Sequence, residues 1–459
     1  MQIKQISVTG LFGIFDHVIP LNMDDRITIV HGPNGFGKTA MLRMTNGLFN
    51  SQYSAFRTIP FRHFQISFND DSIVNIRKTS NIESINNIKR ERIVKRESIT
   101  ISLNKSNVEG ESFDLDKILV DFTEIGFPIE IIESIPDLHS INSNFWKYSP
   151  TGEMLSLHEV LDRFKDILPP IINKRGEPEL LDKLKHDIHV RLIESQRLLN
   201  VIPNRSARVY PGSTSMLPTV TAYSDELAQI MRDKFSEYGE VSQSLDRTFP
   251  NRLVQRQSSP NLTDEQLRDR LEQLEVTRSR LITIGLLDKT ENTGFPIQPS
   301  AMDESTKNIL SVYVEDVEKK LNVFNDVANK IGLLRRIINS KFAYSYKEMN
   351  FNKDKGFTFK TLYHSSLSDS DTLSPTDLSS GEQHELVLLY ELLFKVEPKS
   401  LVLIDEPELS LHVGWQVQFL KDLQDIVKLA DLDILMATHS PDIIQDRWDL
   451  TVELQGMKK

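Results

Sequence analysis

The most specific chemistry in the chain lies in Gly32-Pro33-Asn34-Gly35-Phe36-Gly37-Lys38-Thr39, which matches G-x-x-x-x-G-K-[ST] at every fixed position. Each fixed position has a physical role in holding a polyphosphate. Glycines at 32, 35 and 37 tolerate positive φ and carry no Cβ, so backbone N–H groups can form a nest around phosphate oxygens. Lys38 suits the β- and γ-phosphates, and the Thr39 hydroxyl suits Mg²⁺. The motif implies binding of ATP or GTP. Much later, Leu401-Val402-Leu403-Ile404-Asp405-Glu406-Pro407 is an apolar run ending in two adjacent carboxylates. Asp405 suits the Mg²⁺ shell, and Glu406 suits orienting and polarising an attacking water. A further apolar run, Asp433 to Ala437, ends in Thr438-His439-Ser440-Pro441, which places His439 to hydrogen-bond a γ-phosphate. A lone strand-end histidine is ordinarily structural; its meaning here comes from the company of the other two motifs.

These residues need elements that deliver them to one place. Arg26 to Phe49 reads as a buried strand (Ile27 to Val30), the glycine-rich loop, and a helix starting at Lys38 whose positive end faces the anion. Leu401 to Asp405 reads as a buried strand with its carboxylates at the carboxyl end, where open α/β sheets bind ligands. Before the loop, Ile3 to Val8, His17 to Leu21 and Ile27 to Val30 read together as one short sheet. After it, His63 to Phe68 and Ser72 to Lys78 form a hairpin pattern, with Ser98 to Leu103 extending the same antiparallel sheet. A helix is expected from Ser156 to Ile167, stopped by Pro169-Pro170, and a strand from Ile188 to Ile193 leading to Gln196.

From Ser224 to about Ser340 the pattern is helical, with Ser224 as one cap and Thr263 with Gln266 as a capping box. Leu267, Leu271, Leu274 and Leu281 form one stripe; Leu310, Val314, Val317, Leu321, Phe324, Ala328 and Ile331 form another in a helix from about Glu304. The two are expected either to pair as an antiparallel arm or to pack as ordinary core. Strands follow at about Ser345 to Phe351 and Gly356 to Thr361. Ser379-Ser380-Gly381-Glu382 then opens a strongly apolar helix, a second anion-receptive helix start or simply an N-cap.

Composition bounds the rest. At 459 residues the chain has room for two or three domains. Its 39% hydrophobic and 26% charged residues fit a globular core. No uninterrupted apolar window approaches membrane length and no basic-then-apolar leader opens the sequence, so no membrane association is expected and the location is expected to be cytoplasmic. The absence of cysteine excludes disulfides and thiolate metal sites. A net charge of −11 argues against indiscriminate coating of nucleic acid. Between Arg77 and Arg96, however, Arg77, Lys78, Lys89, Arg90, Arg92, Lys95 and Arg96 face only Glu83 and Glu91 in number. Such a run is either a solvated hairpin or a patch for DNA or a partner.

Taken in order, Lys38, Leu378 to Glu382, Asp405-Glu406 and His439 resemble the ABC-type ATPases. The long separation of Lys38 from Ser379 resembles the SMC, RecF and OLD group, in which a helical insertion divides two half-cassettes. That resemblance implies an α/β fold: an ABC-type head with a mixed sheet around a P-loop core, an antiparallel β subdomain and a short helical insertion. The expected divisions are 1–222, 223–340 and 341–459. It further implies that Gly32 to Thr39 with Ala40 is Walker A, that Leu378 to Glu382 is the signature, and that Asp405 with Glu406 is Walker B. Ser410 to His412 is similar to the D-loop, Gln196 to the Q-loop glutamine that contacts metal and water, and His439 to the switch histidine. ATP would be the substrate and Mg²⁺ the cofactor, with Lys38, Glu406 and His439 catalytic and Thr39, Gln196 and Asp405 around the metal. Ser379, Ser380, Gly381 and Glu382 of one protomer would complete the nucleotide site of another, in a homodimer or an assembly of dimers. Ser380 stands where the family commonly has Gly, and Glu382 where it often has Gln.

There is no Cys-x-x-Cys hook, and no TOPRIM domain follows His439, so a nuclease is expected on another chain. Phrases such as IESQRL, LSSGEQHE and IDEPELSLH resemble ATPase subunits of anti-phage systems such as PARIS and Septu, which work with a separate TOPRIM or HNH nuclease. The resemblance implies an ATP-hydrolysing sensor or scaffold, with DNA or a phage protein as trigger. Its competitors are a RecF- or SMC-like DNA repair ATPase and an ATP-locked scaffold with little turnover.

Overall fold

The computed structural model describes residues 1–87, 90–104, 112–115, 132, 135, 138–142, 145–149, 152–164, 178–194, 218–255, 263–288, 303–362 and 372–456. The chain divides into two compact units, 1–216 with 395–459 and 217–394.

The first unit is built on a parallel sheet in the spatial order Val190–Ile193, Leu401–Asp405, Asp433–Ala437, Ile27–His31, Thr451–Glu453. Its central strands are apolar throughout rather than alternating, because both faces are covered; all five residues of Leu401–Asp405 are buried. The register sets Asp405 beside Ala437 and Ala437 beside Val30. Asp405-Glu406, Thr438-His439 and the glycine loop therefore leave the sheet at one edge.

The second sheet of this unit is antiparallel, in the order Phe15–Pro20, Ile3–Leu11, His63–Phe68, Ile73–Asn87, Arg90–Asn104, Ser112–Asp114. Alternation is visible along His63–Phe68, where Phe64, Ile66 and Phe68 are buried. The single sheet expected over the first thirty residues is thus corrected: the first two strands lie in the antiparallel sheet and Ile27–His31 in the parallel one. The reason is visible in the side chains, since Ile27, Thr28, Ile29 and Val30 are buried on both faces. The helix Lys38–Phe49 contributes Met41, Leu42, Met44, Leu48 and Phe49 to a core shared by both sheets. A small sheet of Leu138–Asn142, Phe145–Tyr148 and Met154–Ser156 packs Trp146 and Tyr148 with Val160 and Phe164. Its helix, Leu157–Arg163, is opened by a Ser156–Glu159 capping box; the expected stop at Pro169-Pro170 lies outside the described residues.

The second unit contains the helices Thr219–Gln255, Asp264–Thr283, Glu304–Asn322 and Asn325–Phe342. It also holds the strands Lys347–Asn352, Gly356–Thr361 and Thr372–Leu373, and the helix Ser380–Tyr390. Ser224 is not a cap. The helix starts five residues earlier, and the Ser224 hydroxyl donates to the Lys355 carbonyl at 2.7 Å and accepts the Phe357 N–H at 3.1 Å. Gly356, at φ +73, permits this approach, since a Cβ there would lie 1.9 Å from the Ser224 carbonyl oxygen. The Thr263–Gln266 capping box forms as expected.

The two leucine stripes meet, but not as an antiparallel arm. Lys307 pairs with Asp264 and Arg270 with Glu318, while Arg280 bonds Asn329, so the partners advance in the same direction. The antiparallel neighbour of Glu304–Asn322 is Thr219–Gln255, through Lys320–Asp246 and Arg252–Asp316. An apolar stripe fixes which face is buried and is silent on direction. The second stripe is also divided at Val323, with Ala328 and Ile331 on the following helix. Among the described residues no helix is long and apolar enough to cross a membrane.

Candidate nucleotide site

The loop between Ile27–His31 and Lys38–Phe49 holds Gly32, Gly35 and Gly37 at φ +152, +83 and +91. Gly37 has a second reason to be glycine, because a Cβ would lie 2.3 Å from Leu11 Cδ2. Phe36 packs on Phe15 with ring centroids 4.9 Å apart, and its carbonyl accepts His17 Nε2 at 2.9 Å. These contacts tie the loop to the antiparallel sheet. Lys38 folds back over the loop, donating to the Gly32 carbonyl at 2.8 Å and the Pro33 carbonyl at 3.3 Å. Burial lowers its pKa, against the opposing pull of Glu406, Asp405 and Glu408. Three carboxylates thus oppose the loss of the Lys38 charge.

The Thr39 hydroxyl donates to Asp405 Oδ1 at 3.1 Å across 366 residues of sequence. Burial pushes the Asp405 carboxyl up to about 6, with the Thr39 bond opposing. A hydroxyl and one carboxylate, both oxygen donors, match the way Mg²⁺ is held, by one or two protein oxygens plus phosphates and waters. Among the described residues no cluster of three His, Asp or Glu could hold a metal without such help. Glu406 follows in the left-handed region, φ 44 and ψ 58, before Pro407. A non-glycine residue there is strained. His439 Nε2 comes within 3.5 Å of Glu406 Oε1, and Nδ1 within 3.5 Å of Lys38 Nζ. Lysine only donates and carboxylate only accepts, so the neutral tautomer that fits both carries its proton on Nε2.

Ser379 caps the helix Ser380–Tyr390 in the second unit. Its hydroxyl accepts the Glu382 N–H at 3.4 Å, and Glu382 accepts the Ser379 N–H at 2.8 Å. Ser379 and Ser380 are exposed. Glu382 behaves differently: it is buried, and its oxygens take bonds from Ser345 and Lys347, each at 2.7 Å. Burial works against its charge, yet the Lys347, Ser345 and Ser379 bonds outweigh it and hold the carboxyl below the usual range. Its carboxylate is spent inside the unit, fixing the helix start.

A family profile described as AAA ATPase domain matches residues 1–444. The chain belongs to this AAA ATPase domain family. It is similar to Protein ea59 of Escherichia phage lambda, 39% identical over 69 residues, which are 15% of this chain and 13% of that protein. It is also similar to the Retron Ec83 probable ATPase of Escherichia coli, 25% identical over 232 residues, 46% of this chain and 39% of that one. The chain therefore spans well under two thirds of the curated relatives it matches. Among solved structures, it aligns with the SMC head domain from Thermotoga maritima at a TM-score of 0.33 and 8% identity, covering 97% of this chain and 92% of that one. The Smc head domain bound to the C-terminal domain of ScpA, from Pyrococcus furiosus, aligns at 0.32 and 12%, covering 99% and 94%.

Within the ATPase domain, Lys38, Thr39, Asp405, Glu406 and His439 come together as the sequence suggests, while Gln196 lies outside the described residues. Several contributors were not singled out in the sequence. Glu408 accepts from Thr438 and from the His439 backbone. Gln416 accepts the Ser440 hydroxyl at 2.6 Å and donates to the Leu411 carbonyl at 3.2 Å. Arg43 pairs with Glu194 at 3.4 Å, close enough for both to act on Asp405. Glu408 is the one with a readable signal, a third acid directly after Asp405-Glu406-Pro407.

Proposed function

We propose that this ATPase domain works as a dimer that closes on ATP, hydrolyses it, and thereby controls a nuclease carried on a separate chain in defence against phage. Lys38 and the loop N–H groups hold the β- and γ-phosphates. Thr39 and Asp405 would hold Mg²⁺, which when bound would supply positive charge against the phosphate oxygens. Glu406 takes a proton from the water as its oxygen attacks the γ-phosphorus, the bond to the β-phosphate oxygen breaks, and ADP and phosphate leave. His439 Nε2–H orients the Glu406 carboxylate or the phosphate oxygen beside it. The observation carrying the shared site is that the helix start at Ser379 to Gly381, with Ser379 and Ser380 exposed, belongs to a different compact unit from the phosphate loop. A helix N-terminus is an anion-receptive end, and the Ser379–Glu382 capping box satisfies only part of this one, which suits it to the phosphates of a second copy. The partial likeness to a retron ATPase fits the resemblance to defence ATPases drawn from the motifs.

The test mixes two inactive variants. Lys38→Ala and Ser379→Arg should each abolish turnover, and equal mixing should restore about a quarter of wild-type activity, since random pairing leaves one intact site in half the dimers. Mixed dimers without turnover would sink the shared site. The nuclease role is tested in cells, where Glu406→Gln should abolish protection; retained protection would exclude a hydrolysis-driven switch.

A further inference from the structure

Two residues of the helix Lys38–Phe49 reach two neighbouring strands of the parallel sheet. Thr39 donates to Asp405 at 3.1 Å, and Arg43, one turn further along the same face, pairs with Glu194 at 3.4 Å. The strands are in register. Ile193 lies opposite Ile404, so the next residues to leave this edge of the sheet are Glu194 and Asp405. Both Arg43 and Glu194 act on Asp405, the guanidinium favouring its charged form and the second carboxylate opposing it. At the other end of the same strand, Asn50 Nδ2 donates to the Val190 carbonyl at 2.8 Å. The helix therefore holds both ends of the strand that leads to Glu194.

The Arg43–Glu194 pair is not there for stability. Its side chains are 51% and 46% exposed and lie on the wall of a cavity of about 490 Å³. An exposed pair of this kind contributes little to folding. Its partners are nevertheless fixed by what else lines that wall. Glu153 accepts from Arg163 at 2.7 Å, and Glu159 takes the Ser156 hydroxyl at 2.7 Å and the Ser156 N–H at 2.8 Å. Among the described residues of the wall, Glu194 is the acid left for Arg43.

We propose that Arg43 sets the preference of the metal corner for Mg²⁺ over Ca²⁺ by keeping the Glu194 carboxylate out of it. This rests on the reading of Thr39 and Asp405 as the oxygens that would hold Mg²⁺. A hydroxyl and one carboxylate suit Mg²⁺, which keeps several waters and takes other ligands from phosphates. A second carboxylate from the adjacent strand would add oxygens that suit Ca²⁺, which takes roughly six to eight. Arg43 balances the charge of that carboxylate and holds it on the helix.

The test reads ion binding from the thermal midpoint of the full chain with ADP, titrated with MgCl₂ or CaCl₂. Arg43→Gln should lower the Ca²⁺ concentration for half-maximal stabilisation by about tenfold or more, and that of Mg²⁺ by no more than about threefold. Glu194→Gln leaves the guanidinium charge unbalanced and should raise both by about threefold. The double variant restores neutrality and should return both ions to within about twofold of wild type. Arg43→Lys, which keeps the charge, should keep the wild-type preference. An unchanged Ca²⁺ value in Arg43→Gln would overturn the proposal. So would a gain that persists in the double variant or is equal for the two ions. Asp405→Asn should weaken both ions. If it does so while Arg43→Gln changes nothing, the metal corner stands and only the role of Arg43 falls; if it weakens neither, both fall.

Discussion

One carboxylate oxygen of Glu408 accepts the backbone N–H of His439 at 2.5 Å, and the other accepts the Thr438 hydroxyl at 2.8 Å. The residue that carries the histidine is thereby pinned to the turn that begins at Glu406. Gln416 reinforces the same corner by taking the Ser440 hydroxyl at 2.6 Å. Glu408 is thus a positioning residue, acting through His439. Misplacement of a reacting group by about 1 Å can cost about 100-fold in rate. Glu408→Ala should lower kcat roughly 10- to 100-fold and leave ATP affinity within about threefold. Glu408→Gln, which keeps one acceptor oxygen, should recover part of kcat. Steady-state turnover beside nucleotide titration separates the two quantities, and an equal loss of affinity would assign Glu408 to ground-state binding.

The residues legible in the sequence share a property: their chemistry is written in local spacing. The phosphate loop is contiguous, Asp405-Glu406 ends an apolar run, and Thr263 with Gln266 spells its own cap. Local spacing is silent where the partner is distant. Ile27–His31 joins the parallel sheet because it pairs with Asp433–Ala437 and Thr451–Glu453, some 400 residues along. Ser224 has the residue type of a cap, yet its hydroxyl is used by Lys355 and Phe357. Helix direction in the second unit is set by ion pairs such as Arg252–Asp316, which no periodicity encodes. Local spacing is equally silent on Lys347 and Ser345, which bond the Glu382 carboxylate from 35 and 37 residues away.

Lys341 and Glu385 form an ion pair with both side chains fully buried, joining the helix Asn325–Phe342 to the helix that begins at Ser380. Among the described residues Glu385 Oε2 has no hydrogen-bond partner. Removing one member strands a buried charge, which costs about 3–5 kcal/mol, whereas replacing both with apolar residues is often neutral. Lys341→Met should therefore lower the urea midpoint of the full chain strongly, and Lys341→Met with Glu385→Leu should restore most of it. A double variant no better than the single one would show that the pair itself, rather than the stranded charge, stabilises this junction.

Acid should weaken the fold in two separate windows. Burial lowers the His17 pKa below 6.5, and the Phe36 carbonyl and Asp16 only partly oppose it. The unfolded chain then takes up the proton first as pH falls, so the His17 contribution is complete above pH 6.5 and is lost as pH drops through the lowered folded value. Glu382, held below its ordinary 4.5, acts in the same direction at lower pH. Asp405, pushed up to about 6 by burial, has the opposite sign as pH falls from about 6 towards 3.8, so the two losses are read as differences in thermal midpoint between wild type and His17→Gln below pH 6.5 and between wild type and Glu382→Gln below pH 4.5. His17→Gln, which keeps a donor for the Phe36 carbonyl, should flatten the first loss and leave the second. A first loss of unchanged size would remove His17 as its cause.

Thr39 and Asp405 touch directly, which brings together the two oxygens suited to Mg²⁺. Their hydrogen bond uses the Thr39 proton, leaving its lone pairs available, and the buried Asp405 carboxylate gains a counter-charge when the ion arrives. Asp405→Asn removes the charge while keeping an oxygen. It should raise the Mg²⁺ concentration for half-maximal turnover by about tenfold or more. Thr39→Ser, which keeps the hydroxyl, should alter it far less than Thr39→Ala. Chelation with EDTA should stop turnover in all of them, whereas ATP should still protect the loop helix from proteolysis, because Lys38 and the backbone N–H groups bind phosphate without the ion. If Asp405→Asn left the Mg²⁺ requirement unmoved, the Thr39–Asp405 contact would be structural and the ion would be held by other oxygens.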